Sequence, residues 1–574
     1  MFVKHSWSER NGKRYDSYHI CKSYKDHDGV TRHEYLVNIS DLPMEVIDKI
    51  KRVLQEEDHL RSLSDVTLNT GDACPGAGSL AVWRAYRKTS MDKALSCLTE
   101  AERDSAFAMI LSRILNPCSK RAIKKELADN LFAKLFSKNR LDHDRLYQVM
   151  DRLEENFYDI QKKLRDRHHE QDQASLLLYD TTTTYFEGTS AEGGEYGKSK
   201  DHRWDRFQII IGVITNRQGM PLAVETWDGN TQDRSTVNDR IDHLVEAFDV
   251  GQATFVSDEG TYSDVNIAHI KKNGFDYITS LQWHRQRELL EDMAPKQRKL
   301  FEQVGVYEWT EHIQPEDPDG QAQPHDVRYV GVFSKPRQAR ERKTRLDNMK
   351  KSRDLLVHLT ETASKGAYYT PGRLREKINN RLGELNTSAF FDVRITQKDP
   401  DKHTDQKQLL EVDFRLCLDA IRKRRRREGK YILQTSLEEG EASSEDVDES
   451  YRRLQKVERG FREIKNMLGL RPVHHWKERR IKAHVLICFL SYFLTHYLKQ
   501  EFRKAGIKQE VVPEIRRMDK LELVETTLSI DDESLTEYNW SLGEVGEKMK
   551  TRLQELGWWR SIQGYKGGLT KRLR

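Results

Sequence analysis

Three acids, far apart in the chain, sit where acids are costly or unusual. Asp180 interrupts "SLLLYDTTTTYFEG" (175–188), in which Leu176, Leu177, Leu178 and Tyr179 read as a buried strand extended by β-branched threonines. A carboxylate in such a strand is expensive unless it is paired, hydrogen-bonded or held by a metal. Asp258 closes the short apolar run "ATFVSD", at the strand end where open α/β sheets collect ligands. "SDEG" also reads as a plain acidic turn, and Glu259 beside it points the other way if the strand continues. Glu458 lies in "ESYRRLQKVERGFREIKNMLGL", a strong helix with the apolar stripe Leu454, Val457, Phe461, Ile464 and Leu468. Tyr451, Leu454, Glu458, Arg462 and Lys465 are spaced to share roughly one face, where Glu458 could equally be a surface acid paired with Arg462 or Lys465. Carboxylates brought together from two strand ends and a helix suit one chemistry well. Two divalent ions about 4 Å apart need shared carboxylate oxygens, one ion activating a water or 3′-hydroxyl and the other steadying the leaving oxygen at phosphorus.

The elements that must position these acids are legible in outline. From 175 the pattern is α/β: an apolar strand, then "RFQIIIGVITNRQGMPLAVETW" with a hairpin signal at "NRQG", a helix at 235–248, the "ATFVSD" strand, a helix "SDVNIAHIKKNG" stopped by glycine, and the strand "FDYITSL". A mixed sheet with helix cover follows. Six segments are expected: 1–90, a small unit with strands, including a Gly-rich connector "NTGDACPGAG"; 91–173, helical, stopped first at Pro117, with basic faces that DNA or solvent could meet; 174–290, the first part of the core; 291–445, a strand-rich insertion with a long charged helix at 336–364; 446–510, the second part of the core; and 511–574, a basic tail.

Composition narrows the classes. The 574 residues carry 33% charged and 37% apolar side chains and a net charge of only +5, so the distribution of charge matters more than its sum. Six cysteines without a C-x-x-C pair argue against a zinc ribbon or a disulfide scaffold and suit a reducing cytoplasm. The N-terminus lacks a signal-peptide core. "AHVLICFLSYFLTHYL" is shorter than a membrane span and reads as a buried helix, so no membrane is expected.

With these residues in hand, the chain resembles the DDE transposases of bacterial insertion sequences. "DTTTTYF" matches a D-x-T-x-x-x-F motif through Asp180 and Phe186, "VSDEGTYSDVNI" looks like the second acid's segment, and "YRRLQKVERGFREIK" gives Tyr451, Glu458 and Lys465 at the spacing of a Y-x2-R-x3-E-x6-K signature. Leu454 stands at the signature arginine, whose role would fall to Arg462 or Arg453. "GNTQDRST" (229–236) resembles a further family segment. Asp258 follows Asp180 by 78 residues (258 − 180) and Glu458 follows Asp258 by 200 (458 − 258), the long interval fitting a strand-rich insertion.

The resemblance implies an RNase H-like catalytic core, interrupted by the β-rich insertion and preceded by a mostly helical N-terminal region. Asp180 would lie on its first strand, Asp258 after the fourth and Glu458 on a following helix, with two Mg²⁺ ions (Mn²⁺ substituting) on the three acids. It also implies a cytoplasmic, nucleoid-associated dimer that binds terminal inverted repeats, cuts double-stranded DNA ends and joins them to target DNA. A nuclease on the same fold, or a transposase-derived DNA-binding protein without chemistry, are the alternatives; the presence of all three acids argues against the second.

Candidate DNA contacts are Tyr451, Arg462 and Lys465 beside Glu458, and Lys198, Lys200 and Arg203 in "YGKSKDHRW". "RKRRRR" (422–427) and the tail basics Arg560, Lys566, Lys571, Arg572 and Arg574 read as solvated charge or as phosphate contacts. "HHW" (474–476) fits no common metal spacing, and Trp283, Trp309 and Trp476 read as core aromatics or as platforms for a flipped base.

Overall fold

The computed structural model describes residues 1–10, 13–25, 30–55, 66–132, 141–167, 176–231, 242, 253–258, 263–313, 325–365, 370–397, 409–530, 537–542, 545–559 and 565–566. Nearly all of the helix expected at 235–248, Glu259 and the tail basics Arg560, Lys571, Arg572 and Arg574 lie outside them. The chain forms two compact units, one of residues 168–463 and 471–476, the other of residues 1–167, 464–470 and 477–574.

The first of these holds Asp180, Asp258 and Glu458. Its strands are β1 (Leu176–Tyr185), β2 (Gln208–Thr215), β3 (Pro221–Asp228), β4 (Thr254–Ser257), β5 (Asp276–Ser280), β6 (Val306–Ile313), β7 (His325–Phe333), β8 (Phe391–Gln397), β9 (Leu410–Leu416) and β10 (Lys430–Thr435). Eight of them form one sheet in the order β6-β7-β10-β5-β4-β1-β2-β3. Strands β1, β2 and β3 are antiparallel neighbours, while β1–β4 and β4–β5 pair in parallel. This mixed five-strand order, with Asp180 on the first strand and Asp258 directly after the fourth, is the RNase H-like core that the family resemblance implies.

Local chemistry explains the elements. The expected hairpin closes where Asn216 Oδ1 accepts from the backbone N–H of Gln218 (3.1 Å) and Met220 (2.9 Å), a side-chain-made turn. Helix α1 (Asp264–Lys272) starts where Ser263 Oγ accepts from the Asn266 N–H, and ends before Gly274 at φ +76°. It covers one face of the sheet, where Leu177, Tyr179, Phe255 and Tyr277 pack with Ile267 and Ile270. Strand alternation therefore sends Leu178 and Asp180 to the other face.

The excursion between β5 and β10 returns to the same sheet. After helices α2 (Trp283–Asp292) and α3 (Pro295–Val304), β6 and β7 form a hairpin whose second strand pairs with β10, and β10 pairs antiparallel with β5 (Leu433↔Ser280). Helices α4 (Lys335–Ser364) and α5 (Pro371–Glu384) enclose a separate small core with the β8–β9 pair. Helix α6 (Leu418–Arg427) then leads through Glu428 and Gly429 into β10. Gly429 has φ +81°, and a Cβ there would lie 2.6 Å from Gln338 Cβ, so the turn requires glycine. Helices α7 (Ser444–Arg452) and α8 (Leu454–Arg462) complete the unit.

The other unit contains a three-stranded antiparallel sheet (Phe2–Arg10, Lys13–Lys25, Thr31–Asn38) and a helical core. The helix Glu100–Leu115 opens with a capping box between Thr99 and Glu102 and ends before Pro117, as its sequence predicts. The helix Glu478–Lys504 is long and apolar enough to cross a membrane by composition, but 89% of its most apolar window is buried inside the protein. The stretch read as a connector differs. Val66–Pro75 is a strand paired with Glu522–Ile530, and helix Ala77–Lys88 follows at once. Its partner lies some 450 positions away in sequence, beyond the reach of local turn signals.

Candidate active site

Asp180 owes its position to the β1 register. Leu176, Leu177 and Leu178 face Thr254, Phe255 and Val256 across the parallel β1–β4 pair. The constant offset equals the interval between Asp180 and Asp258, so the register, continued two residues beyond its last pair, brings the two acids level. Asp180 Oδ1 accepts from its neighbour's Thr181 N–H at 2.7 Å. Lys200 donates from Nζ to the Thr181 carbonyl (2.9 Å) and to Thr181 Oγ1 (2.7 Å), and this ammonium stands 4.0 Å from Asp180 Oδ1. The Lys200 backbone N–H is itself held by Thr183 Oγ1 at 2.9 Å. The threonine run thus shapes the site as well as filling a strand.

Burial pushes the Asp180 carboxyl up to about 7. Lys200 and the Thr181 N–H pull it down, while the charges of Asp258 and Glu458 push it further up. All three acids therefore share one field. The Asp258 carbonyl accepts from Thr279 Oγ1 at 3.2 Å, which ties the end of β4 to β5. Glu458 is exposed on α8, whose buried Leu454, Val457 and Phe461 fix that helix by its apolar side.

Among the described residues, no three His, Cys, Asp or Glu side chains are drawn into a cluster that could hold one ion. The donor chemistry nevertheless fits hard divalent cations: carboxylate oxygens, an unbalanced negative field, and one lysine as the nearby counter-charge.

The expected shared face of Tyr451, Leu454, Glu458, Arg462 and Lys465 is not present as such. The segment is α7, a break at Arg453, α8, and then a π-helical turn at Glu463–Met467, and each departure rotates the face. Glu458 and Arg462 are exposed, Leu454 and Lys465 are buried, and Tyr451 is half-buried with its ring 6.1 Å from that of Tyr431. At the signature position, Leu454 packs inward, and neighbouring Arg453 pairs with Glu449 and reaches the Arg217 carbonyl. Lys198 is exposed, whereas Arg203 lies over the Tyr185 ring (4.9 Å) and forms a two-bond pair with Asp205.

One supporting segment had no sequence signal. Arg471 donates to Asp201 at 2.7 Å, Val473 bridges Phe186, and Glu192 N–H donates to the Trp476 carbonyl. "RPVHHW" thereby clamps the end of β1 and the loop that carries Lys200.

None of the curated proteins compared with the chain matches it. Among solved structures, the cryo-EM structure of the piggyBac transposase synaptic complex with hairpin DNA is similar over 78% of this chain and 82% of that one, at 9% identity and a TM-score of 0.35. The family model for the transposase DDE domain matches residues 171–494, more than half of the chain and inclusive of all three acids. The chain therefore belongs to the transposase DDE-domain family.

Proposed function

We propose that this protein is the transposase of a bacterial insertion sequence. It binds terminal inverted repeats as a dimer in the cytoplasm, cleaves the DNA ends and transfers them to target DNA. The observation that carries this reading is the level alignment of Asp180 with Asp258, together with the field that Glu458 adds at Asp180.

Asp180, Asp258 and Glu458 are assigned to hold two Mg²⁺ ions, with Mn²⁺ as substitute. Bound there, such ions supply Lewis-acid activation of a water or 3′-hydroxyl and charge for the leaving oxygen. The chain's own contribution is placement. Parallel pairing fixes one carboxylate on a strand and a second directly after one, and α8 brings the third by its packed face. Lys200 holds Thr181, and with it the backbone beside Asp180, while offsetting part of the negative field.

Exposed Arg462 and Lys198, with Arg203 at the rim, are assigned to phosphates near the site. Lys465 and Tyr451, buried and half-buried, are assigned to holding the helix rather than to DNA.

The test is an end-cleavage and strand-transfer assay on labelled repeat DNA with Mg²⁺ or Mn²⁺. Wild type is expected to give both products, and Asp258→Ala neither, while its gel shift persists. Cleavage without joining would replace the reading with a nuclease, and binding without either product would replace it with an inactive DNA-binding protein.

A further inference from the structure

Helix α6 holds six consecutive cations, Arg422 to Arg427, in ten residues. Like charges three and four positions apart repel one another on a helix, so such a run does not serve folding. The helix C-terminus favours positive charge only in its last turn, which accounts for Arg424 to Arg427 but not for Arg422 or Lys423.

The structure divides the run by direction. At about 100° per residue, Arg424 and Arg427 fall on one side, and Arg425, Arg422, Arg426 and Lys423 span an arc of roughly 160° on the other. The first pair faces α2. Its guanidinium carbons lie 5.9 and 4.9 Å from the centre of the Trp283 ring, and Arg427 Nε is 3.2 Å from Glu291 Oε1. Arg426 donates to the Glu291 carbonyl at 3.3 Å. The turn that follows α6 is anchored by a buried ion pair, Glu428 with Arg345 of α4 at 2.6 Å. Helix α6 is therefore a fixed platform, not a solvated arm.

On the outward side, Arg422 pairs, among the described residues, with the exposed Asp419 at 2.9 Å. Lys423 and Arg425 are exposed and make no ion pair among the described residues.

We propose that the outward face of α6 is a docking surface for the phosphate backbone of duplex DNA. The proposal rests on the DNA-processing reading above and adds to it a second contact region, on a different element from the three carboxylates. A rigid helix with clustered cations fits a regularly spaced polyanion through phosphate contacts, which position a duplex without reading its sequence. Binding through this surface is sequence-independent.

The experiment compares Lys423→Ala/Arg425→Ala with Lys271→Ala/Lys272→Ala. The second variant removes two exposed cations of equal charge from the end of α1, the helix on the sheet face opposite Asp180. Affinity for a short duplex of arbitrary sequence is measured against salt. The α6 variant is expected to lose about 1.8 from the log–log slope, or roughly 60-fold in affinity near 0.1 M salt, with an unchanged melt. The α1 variant is expected to match wild type.

Equal slopes for the α6 variant and wild type would overturn the proposal, as would an equal loss in both variants, or polyglutamate binding as tightly as DNA. Asp180→Asn, assayed in parallel for cleavage, separates the two readings. Lost cleavage with an unchanged α6 slope removes only the docking surface. A reduced α6 slope with intact Asp180→Asn cleavage supports docking and removes only the catalytic assignment.

Discussion

Two carboxylates of one unit, Glu428 buried and Asp180 largely enclosed, are treated in opposite ways. Glu428 is matched by Arg345 through two hydrogen bonds, with both side chains almost fully enclosed. Asp180 has, among the described residues, one lysine at 4.0 Å, and it faces the like charges of Asp258 and Glu458. The matched pair holds a turn; the unmatched group is poised to take a cation. Burial of charge is therefore no guide to function by itself, and the guide is whether the neighbours cancel it.

The sharpest way to break this contrast is to delete one member of each kind. Asp180→Ala is expected to lower end cleavage by about a thousandfold or more while leaving the melting temperature unchanged or higher. Near-normal cleavage would take Asp180 out of the site. Arg345→Ala is expected to cost about 3–5 kcal/mol in urea denaturation, because Glu428 is left buried and alone. Its cleavage per folded molecule should stay near wild type. Replacing both partners by Met and Leu should recover most of that loss, and a double variant as unstable as the single one would show that something other than the lone charge matters.

A smaller effect concerns pH. The Asp180 carboxyl rises from its ordinary 3.8 to about 7 in the folded chain, so between those values the native state keeps a proton that the unfolded chain has released. Stability contributed by that proton is present below the lower value and is lost as pH rises through the upper one. In buffer with a chelator, wild type should weaken between about pH 4 and pH 7 by roughly a few kcal/mol relative to Asp180→Asn, at no more than about 1.4 kcal/mol per unit. The two proteins should converge near pH 4. Parallel stability curves across that range would contradict the unbalanced burial. Smallest of all, Arg462→Ala should lower the salt slope of DNA binding by about 0.9, whereas Lys465→Ala should lower the melting temperature with no change of slope. The reverse pattern would return the phosphate contact to Lys465.

The sequence was most readable where geometry is local and repetitive. Alternation in β1 and the acid after "ATFVS" reveal both strands, and the interval between Asp180 and Asp258 proves to be the pairing offset itself. It was less readable where a helix departs from regular spacing. Glu458 and Lys465 look like neighbours on one face only if every turn is α-helical, and the π-turn at Glu463–Met467 breaks that rule. Lys200 was legible as a basic residue near the first acid but not as one turned inward onto Thr181, because its direction depends on Thr183 and on the loop clamped by Arg471. "RKRRRR" reads as solvated charge until α2 supplies Trp283 and Glu291 beneath it.

The antiparallel seam between β5 and β10 has a consequence for how this protein can change over generations. The chain leaves β5 at Ser280, extends the far edge of the sheet with β6 and β7, and returns beside β5 on β10, where Leu281 N–H donates to the Ile432 carbonyl. Everything between is an excursion whose two ends are already neighbours. Doubling the length of a flexible loop closed in this way adds only about 0.6 kcal/mol of closure entropy. Subdomains can accordingly be grafted or trimmed here while the strands bearing Asp180 and Asp258 keep their pairing, and the distance in sequence to Glu458 is free to drift.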